Sequence, residues 1–389
     1  MITFDNTEIA FQSKSNSELK KAYRLFKIMG NSKLVKTSNT LARFAIKIGF
    51  PIGWLAKPTL YKHFVGGETI EKCKKTIENL SKFKVKAILD YSVEGKENDD
   101  DIEKALHETL NSIKNAGSNP NIPFSVFKPT AFGKSIVLEK ASAGKELNEK
   151  EKQEIHKFKT RINQLCHAAF NVSVPILIDA EDSWYQPVID EVTEQMMEKY
   201  NREKAIVFNT YQMYRLDRLD YLKEAHQMAI KGNYFLGAKF VRGAYMEKER
   251  ARAVEMGYQD PIHPNKESTD KDYNLALKYC IENVNTISIF NGTHNDYSSA
   301  YLTQLMKEHG IERNDNRIWF SQLLGMSDHI SFNLAHEGYN VAKYLPYGPV
   351  NHVLPYLLRR AEENTSVKGQ SGRELLLITK ELKRRKALK

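Results

Sequence analysis

The sequence is poor in cysteine, and its cysteines do not form pairs. Cys73, Cys166 and Cys280 are the three cysteines among 389 residues, and no C-x-x-C motif occurs. Secreted domains that depend on disulfide bonds carry dense, even sets of cysteines, so a framework of that kind is excluded. We expect three reduced, buried thiols and a cytoplasmic protein.

Long hydrophobic runs are also missing. The most apolar early stretch without a charged residue covers only 48–56, whereas a transmembrane helix needs about 20 apolar residues. Residues 1–5 lack the basic head and apolar core of a secretory signal. The sequence therefore predicts a soluble protein that contacts a membrane at most at its surface.

Motifs for common cofactors are absent as well. No G-x-G-x-x-G follows a strand-like run, which argues against a Rossmann-type dinucleotide site. Gly133, Lys134 and Ser135 have the order that ends a phosphate-binding loop, but Lys128 occupies the place of its first glycine. There is no H-E-x-x-H motif, and the histidines and cysteines lack the spacing of metal ligands. We expect no metal site.

Positive charge is in excess but dispersed. The formal net charge is +10, which suits nucleic acid, anionic lipid or an anionic substrate. Most lysines alternate with glutamates, as in 71–75 and 247–250, which is typical of a solvated helix face. Only 380–386 is locally dense in Lys and Arg. A nucleic-acid partner requires a basic stripe interleaved with aromatic residues, so we expect none.

What the sequence does contain is a regular alternation of strand-like and helix-like segments. Apolar runs typical of buried parallel strands occupy 85–91, 122–127, 174–178, 205–208, 235–241, 286–290, 317–320 and 340–344. Segments with helical character or periodicity include 17–29, 68–83, 155–169 and 219–229. This alternation predicts an α/β fold with a (β/α)8 barrel of the TIM type; a doubly wound open sheet is the alternative. Residues 133–150, rich in Lys, Ser and Gly, are predicted to form a loop.

The prediction divides the chain into three parts. Residues 1–80 form an N-terminal helical region, 81–366 form the barrel, and 367–389 form a basic helical tail. In the tail, an apolar helical face that includes Ile378 precedes a cluster of Lys and Arg. Such a helix predicts a weak, salt-sensitive contact with a membrane, although a solvated terminal helix is the commoner case.

Chemically useful side chains follow the predicted strands. They are Lys128, Asp179, Asn209, 239–245, Thr293, His294, Asn295, Gln322 and Tyr344. The carboxyl ends of parallel barrel strands meet at one mouth, where active sites form, so this collection of side chains indicates an enzyme. A Schiff-base lyase that uses Lys128 is one alternative, although a nearby Asp179 would keep the lysine charged.

Two adjacent arginines, Arg359 and Arg360, lie in a helix-like segment after the eighth strand. Neighbouring helical residues point about 100° apart, so one ligand does not normally contact both. Paired guanidinium groups can still bind a carboxylate or phosphate when the helix lies across the mouth. A solvated pair beside Glu362 and Glu363 is the alternative, and spacing alone favours it.

Together these motifs resemble the proline dehydrogenase family. The matching segments are 178–181, 208–212, 239–245, 293–295 and 356–364. They occur in the family's order within 66–366. The resemblance implies a monofunctional, FAD-dependent enzyme with a distorted (β/α)8 barrel, N-terminal helices and a last helix over the barrel mouth.

The resemblance also implies which residues contact the substrate. Lys128, Arg359 and Arg360 match the family's cationic clamp for the substrate carboxylate. Asp179 matches its catalytic aspartate. The two tyrosines that match those beside the proline ring are Tyr245 and Tyr344.

A second group of residues is implied to bind FAD. The predicted contacts are Asn209, Gln212, Lys239, Val241, Arg242, Gly243, Ala244, Asn265, Lys266, Thr293, His294, Asn295, Gln322 and Glu363. Many bacterial members have Arg and Gln where this chain has Lys239 and Asn209. Lys239 keeps the positive charge but lacks the planar guanidinium fork.

The implied reaction is oxidation of L-proline to delta-1-pyrroline-5-carboxylate, with hydride transfer from C5 to FAD and electrons passed to a membrane quinone. Holding the carboxylate fixes the position of C5. A cation at Lys239 or Arg242 would stabilise the reduced flavin. The implied location is the cytoplasm, with peripheral contact at the inner face of the membrane. Related hydroxyproline dehydrogenases carry a serine where this chain has Tyr344, so we predict a preference for proline; hydroxyproline oxidation is the alternative within the family.

Overall fold

The computed structural model describes residues 2–31, 34–35, 37–40, 57–92, 98–366 and 370–388, without the side chains of 362–366 and 370–371. The apolar stretch 48–56 lies outside the described residues. Contacts divide the chain into two compact units. The central unit comprises Gly95–Ser321, and the terminal unit comprises Ile2–Glu94 together with Gln322–Lys389.

Eight parallel strands form the sheet, one for each predicted strand. They are β1 (Lys86–Tyr91), β2 (Ser125–Phe127), β3 (Ile176–Ile178), β4 (Val207–Gln212), β5 (Leu236–Val241), β6 (Ile287–Gly292), β7 (Ile318–Leu323) and β8 (Val341–Tyr347). Their order is β1-β8-β7-β6-β5-β4-β3-β2, which follows the chain except that the first strand lies beside the last. A doubly wound sheet instead reverses its order at an internal switch point, so that alternative is excluded. The (β/α)8 prediction is confirmed.

Helices separate the strands and flank them at both ends of the chain. They are α1 (Thr7–Ala10), α2 (Asn16–Met29), α3 (Lys62–Phe64), α4 (Ile70–Ser81), α5 (Asp99–Ser118), α6 (Ser135–Ser142), α7 (Glu149–Asn171), α8 (Gln186–Tyr200), α9 (Arg218–Gly232), α10 (Met246–Met256), α11 (Lys266–Glu282), α12 (Asp296–Glu308), α13 (Asp328–His336), α14 (Val350–Ser366) and α15 (Gln370–Ala387). A π-helical turn covers Lys57–Tyr61 and a 3-10 turn covers Pro129–Phe132.

The helical predictions at 17–29, 68–83, 155–169 and 219–229 are confirmed by α2, α4, α7 and α9. Helix α7 begins where Asn148 and Glu151 form reciprocal capping hydrogen bonds, a common way to satisfy free amides at a helix start. The prediction of a loop over 133–150 was wrong in part, because α6 lies within it. That helix buries only Val137 and Leu138, so its sequence shows almost no apolar stripe.

Side chains alternate between two faces along the strands of the central unit. Phe124 contacts the rings of Phe208, Phe290 and Trp319 with centroid separations of 5.7, 5.0 and 5.3 Å. Because these rings come from strands that are not all neighbours, they meet on the inner face, around which the sheet curves. Tyr211, an odd number of residues after Phe208, lies on the opposite, outer face among the helices.

The two ends of the chain meet in the terminal unit. Leu377 and Ile378 of α15 are buried in one cluster with Phe11, Leu19 and Phe26. The predicted apolar face of the tail is therefore covered by N-terminal helices. Of the basic cluster, Lys383 and Lys386 are exposed, whereas Arg384 and Arg385 pair with Glu381. The three-part division of the chain stays a prediction.

Burial accounts for the three cysteines. Each is free and buried, and burial raises the pKa of the Cys73 thiol to about 12. The expectation of buried thiols is confirmed. Among the described residues, no helix combines the length and the apolar character that crossing a membrane requires.

Candidate active site

Three charged side chains form what we call the central ion cluster: Lys128, Asp179 and Lys239. The Asp179 carboxylate lies 2.5 Å from the Lys239 ammonium group and 3.7 Å from that of Lys128. Lys239 is almost fully buried in β5, whereas the side chains of Lys128 and Asp179 are 32% and 15% exposed. The structure thus brings three predicted site residues together, with the Lys128 side of the cluster open to solvent.

Hydrogen bonds to neighbouring strands fix the position of Asp179. Its N–H donates to the carbonyl of Phe127 at the end of β2, at 3.0 Å. On the other side, the Thr210 hydroxyl of β4 donates to the carbonyl of Ile178 at 2.7 Å. Because hydrogen bonds hold the end of β3 on both sides, the backbone that carries the Asp179 side chain is fixed in position.

Glu181 is a second carboxyl group beside this cluster, and the residue roles predicted from sequence did not include it. Its side chain is buried and its Oε1 accepts a hydrogen bond from the Thr130 hydroxyl at 2.8 Å. Burial raises the pKa of this carboxyl to about 7, opposed by the Thr130 hydrogen bond and by Lys128. The signal was present in sequence, since Glu181 belongs to the motif that carries Asp179.

Two residues of β4 that were predicted to bind FAD donate hydrogen bonds within the protein. Gln212 Nε2 donates to the carbonyl oxygen of Glu181 at 2.6 Å. Asn209 lies on the outer face and donates to Asp190 at 2.9 Å, and Asp190 also accepts from Arg218 at 2.7 Å. Strand alternation puts Asn209 and Gln212 on opposite faces, which the sequence analysis did not take into account. Their contacts with FAD stay predictions.

Arg242, at the end of β5, organises a second part of the predicted FAD site. Its guanidinium group donates to Asp270 at 2.7 Å, to the Thr293 hydroxyl at 2.6 Å and to the Ser298 hydroxyl at 3.0 Å. It also lies 4.4 Å from the centre of the Tyr273 ring. The arginine is therefore fixed in position by charge, hydrogen bonding and stacking.

Two helices begin near Arg242, and predicted FAD contacts cap both. The side chain of Asn265 accepts a hydrogen bond from Ser268 N–H at the start of α11, and Asn295 does the same for Ser298 at the start of α12. Lys266, in the first turn of α11, pairs with Asp270, which also binds Arg242. Four predicted FAD contacts (Arg242, Lys266, Thr293 and Asn295) are thus linked by a network of short contacts, and Asn265 is the chain neighbour of Lys266.

The segment after β5 is tied to the segment after β3. Gly243 has a φ of +126°, and a Cβ there would lie 2.5 Å from the Tyr214 ring, so only glycine fits. Ala244 is exposed, and Tyr245, half-buried, immediately precedes α10. In α10 the buried Glu249 accepts hydrogen bonds from Ser183 N–H and Oγ, both at 2.6 Å.

The remaining predicted residues of the central unit are Val241, on the strand β5, and His294, half-buried between β6 and α12. Within the described ranges, no group of three His, Cys, Asp or Glu side chains is arranged to hold a metal ion. Helix starts beside a cation do favour anions. The surroundings of Arg242 therefore suit phosphate groups.

Other predicted site residues belong to the terminal unit. Tyr344 lies in β8 and is buried, and Gln322 accepts a hydrogen bond from the Ser331 hydroxyl at 2.6 Å. Arg359 and Arg360 are half-buried in α14, and the Arg360 guanidinium group lies 5.2 Å from the centre of a tyrosine ring in the same helix. The clamp and the solvated pair both stay predictions for these two arginines. Glu363 also lies in α14, but its side chain is outside the described part of the structure.

Comparison with known proteins identifies the family. A model described as proline dehydrogenase matches residues 73–373. The chain belongs to the proline dehydrogenase family. Proline dehydrogenase 1, mitochondrial, of Dictyostelium discoideum is 34% identical, over 98% of this chain and 74% of that protein. The carbapenem antibiotics biosynthesis protein CarD of Pectobacterium carotovorum subsp. carotovorum is 36% identical, over 83% of each chain.

Solved structures support the fold. Proline utilization A (PutA) from Bdellovibrio bacteriovorus, inactivated by N-propargylglycine, superposes with a TM-score of 0.73 at 20% sequence identity. The match covers 92% of this chain and 38% of the PutA chain, so this chain spans about two fifths of that protein's length. At this identity the likeness establishes the distorted barrel fold of the proline dehydrogenase family, and residue roles rest on this chain's own geometry.

The proline dehydrogenase fold also places a carboxylate that the sequence analysis missed. Asp90 is buried near the carboxyl end of β1 and accepts a hydrogen bond from the Ser92 hydroxyl at 2.8 Å. A carboxylate within the apolar run 85–91 was the available signal. Polar residues at the end of a predicted barrel strand are site candidates, and Asp90 should have been named with the others.

Proposed function

We propose that this chain is an FAD-dependent enzyme that oxidises L-proline to delta-1-pyrroline-5-carboxylate. The observation that carries the proposal is the central ion cluster, in which Asp179 is fixed between Lys128 and Lys239 at the carboxyl ends of the strands. Membership of the proline dehydrogenase family supports the substrate and the oxidoreductase class.

Cationic side chains are proposed to bind the carboxylate of the substrate. The Lys128 side chain is partly exposed, and its ammonium nitrogen lies 3.7 Å from the Asp179 carboxylate, which is a long distance for an ion pair. Lys128 is therefore proposed to receive a second anion on its exposed side. Arg359 and Arg360 are proposed to complete the clamp, because guanidinium groups bind carboxylates in a fixed geometry. Tyr245 and Tyr344 are proposed to contact the proline ring.

The residues of the central unit fit FAD in two respects. Arg242 and the starts of α11 and α12 bring a guanidinium group and two helix N-termini together, an arrangement of the kind that binds phosphate groups. Gly292 adds no side chain beside Val241 and Lys239, where a Cβ would lie 3.1 Å from the Phe240 carbonyl oxygen and 3.4 Å from Val241 Cγ1, so at this point no side chain of β6 would separate a cofactor from those two residues. FAD, when bound, would accept the hydride from C5 of proline.

This chain's own residues would bind and orient the substrate. The cationic clamp fixes the carboxylate end of proline, so the ring presents C5 in one direction. Lys239 supplies a buried positive charge from the inner face of the sheet, where it would favour negative charge on the reduced cofactor.

Electrons are proposed to pass to a membrane quinone, from a cytoplasmic enzyme that contacts the membrane weakly. Because the apolar face of α15 is buried, that contact would depend on the exposed Lys380, Lys383 and Lys386. An electrostatic contact of this kind weakens as salt is added.

Absorbance spectroscopy tests the proposed activity. The purified protein, reconstituted with FAD, should show a flavin spectrum that bleaches when L-proline is added without oxygen, while D-proline serves as the matched control. Treatment with borohydride in the presence of substrate tests the lyase alternative, because it would trap a Schiff base on Lys128. A protein that does not bind FAD, or that binds it but is not reduced by proline, would contradict the proposal.

A further inference from the structure

Glu181 lies two residues after Asp179, and the proposed reaction assigns it no role. Its side chain is only 6% exposed. Its Oε1 accepts hydrogen bonds from the Thr130 hydroxyl at 2.8 Å and from the Thr130 N–H at 3.4 Å. The backbone is held as well, since Glu181 N–H donates to Gln186 at 2.9 Å and its carbonyl accepts from Gln212 at 2.6 Å. The carboxyl group is therefore fixed in place.

The charged groups that act on Glu181 come from two segments. Lys128 comes from the segment after β2, and Asp179 and Asp182 come from its own loop. Lys239 of β5 contacts Asp179. Gln186 and Gln212, from α8 and β4, are neutral. Asp182 has a separate partner, Lys248, at 2.6 Å.

Charge balance then depends on Glu181. The central ion cluster contains two lysines and one aspartate. Counted over these three side chains and Glu181 alone, the formal charge is +1 when Glu181 holds its proton and zero when it does not. Burial raises the pKa of Glu181 to about 7, while Thr130 and Lys128 lower it and the two aspartates raise it. The burial of Glu181 therefore favours its protonated form up to a higher pH than that of a free carboxyl group.

We propose that Glu181 is a proton-binding positioning residue of the central ion cluster, whose protonated form leaves Lys128 the positive charge that receives the substrate carboxylate. At a pH where Glu181 is ionised in the free enzyme, binding of the substrate carboxylate then requires Glu181 to take up one proton. This inference rests on the proposed function, because the carboxylate is that of proline. The affinity for a carboxylate falls as Glu181 loses its proton, by up to about tenfold per pH unit for one linked proton.

The probe is cyclopentanecarboxylate, which has the ring and carboxylate of proline but no amine. Its inhibition constant against proline turnover, measured with a dye acceptor from mildly acidic to mildly alkaline pH, reports titration of the enzyme alone. The wild-type inhibition constant should rise above neutral pH. In Glu181→Gln it should stay level, because the amide cannot ionise.

Two further variants provide controls. Glu194 is another glutamate whose pKa burial raises, but it binds Tyr221 on the outer side of the sheet. Glu194→Gln should therefore keep the wild-type profile. Thr130→Val removes the donor that stabilises the ionised Glu181, so its profile should shift to higher pH. If the role of Glu181 were purely structural, neither the level pH profile in Glu181→Gln nor the shifted profile in Thr130→Val would be expected.

The possible outcomes separate this inference from the proposed function. Turnover of proline with an inhibition constant that does not change with pH overturns the inference and leaves the function intact. A wild-type pH profile in Glu181→Gln overturns it too. Absence of proline turnover at every pH overturns both. If Glu181→Gln does not fold, calorimetric titration of the wild type with the probe, in two buffers of different ionisation enthalpy, measures proton uptake directly; zero uptake above neutral pH contradicts the inference.

Discussion

The central ion cluster has a counterpart in the terminal unit with the same composition. There, Asp328 lies 3.0 Å from Lys14 and 2.9 Å from Lys343, and we call these three residues the terminal ion cluster. A buried glutamate is also nearby, Glu374, whose pKa is raised because burial disfavours its charge. Each unit thus contains one aspartate between two lysines and one glutamate that resists ionisation.

The two clusters differ in how closely the partly exposed lysine is held. Lys343 is completely buried, and in addition to Asp328 it donates to the carbonyl of Met326. Burial opposes ionisation of Asp328, but Lys14 and Lys343 outweigh it and lower the pKa of Asp328. Lys14 is 24% exposed and lies 3.0 Å from Asp328, whereas Lys128 is 32% exposed and lies 3.7 Å from Asp179. Composition alone therefore does not identify an active site; the central ion cluster is distinguished by a cation that lies farther from its aspartate.

The largest effect is expected from breaking the terminal ion cluster. Asp328→Asn leaves Lys343 buried without its anionic partner, which should lower the free energy of unfolding by about 3–5 kcal/mol. Equilibrium urea unfolding measures this change. The matched variant Asp179→Asn also leaves a buried lysine, Lys239, without its anionic partner, so it should lose stability too, and it should in addition lose proline turnover. Proline turnover that survives in folded Asp179→Asn would contradict the assignment of the central ion cluster to the active site.

The next effect concerns the arginines that are proposed to act with the central ion cluster. Arg359→Met or Arg360→Met should raise the activation free energy for proline by about 2–5 kcal/mol, because the substrate carboxylate loses a charged partner. Steady-state kinetics give kcat/KM, and the flavin absorbance gives the FAD content, which should change little. Wild-type kinetics in either variant would support the solvated-pair interpretation.

The pH dependence of stability tests Glu181 without any ligand. Its pKa is raised from an ordinary value of 4.5 to about 7, so between these values the unfolded state binds fewer protons than the folded state. The stabilisation is complete below the unfolded pKa and is lost as pH rises through the folded one, by about 1.4 kcal/mol per unit of pKa difference at most. Urea unfolding at several pH values should show that the free energy of unfolding of the wild type declines as pH rises, and that this decline is absent in Glu181→Gln. Glu71 is exposed, so the control variant Glu71→Gln should show the same decline as the wild type.

The smallest effect is expected at Tyr344, next to Lys343 on β8 but on the opposite face of the strand. Tyr344→Ser should open space beside the proline ring, and relieving an overpacked contact of this kind typically changes a binding energy by about 1–2 kcal/mol. The ratio of kcat/KM for 4-hydroxyproline to that for proline should therefore rise about tenfold. A wild-type enzyme that prefers hydroxyproline would reverse the substrate assignment.

Strand positions were predictable because strands buried on both faces are nearly continuous apolar runs. The strand ends were less predictable: β4 was predicted at 205–208 but found at Val207–Gln212, and β7 and β8 likewise extend three residues beyond their predicted ends. The polar residues Asn209 and Gln212 of β4 resembled the end of a strand, although they are buried within it. Polar side chains that find partners on both faces give no apolar signal, so the sequence alone places the strand end too early.

The site was predictable only where one short motif carried the chemistry. Asp179 and Lys239 follow or end apolar runs, and both belong to the central ion cluster. The contrast between the clusters was not predictable, because Lys14 and Asp328 are far apart in sequence and nothing local reveals their contact. Glu181 shows the same limit: its raised pKa depends on burial against Thr130, which only the fold produces.

The division into a continuous central unit and a discontinuous terminal unit has a consequence for synthesis on the ribosome. β1 can pair with β8, and α1 and α2 can meet α15, only after the last part of the chain has emerged. The central unit is contiguous, so we expect it to fold first while translation continues. During that interval Phe11, Leu19 and Phe26 of the N-terminal segment are exposed to solvent, because their partners in α15 have not yet been synthesised. If translation stalls before residue 370, the nascent chain should therefore have a folded central unit and an N-terminal segment with exposed apolar side chains. Exposed apolar side chains are what chaperones bind.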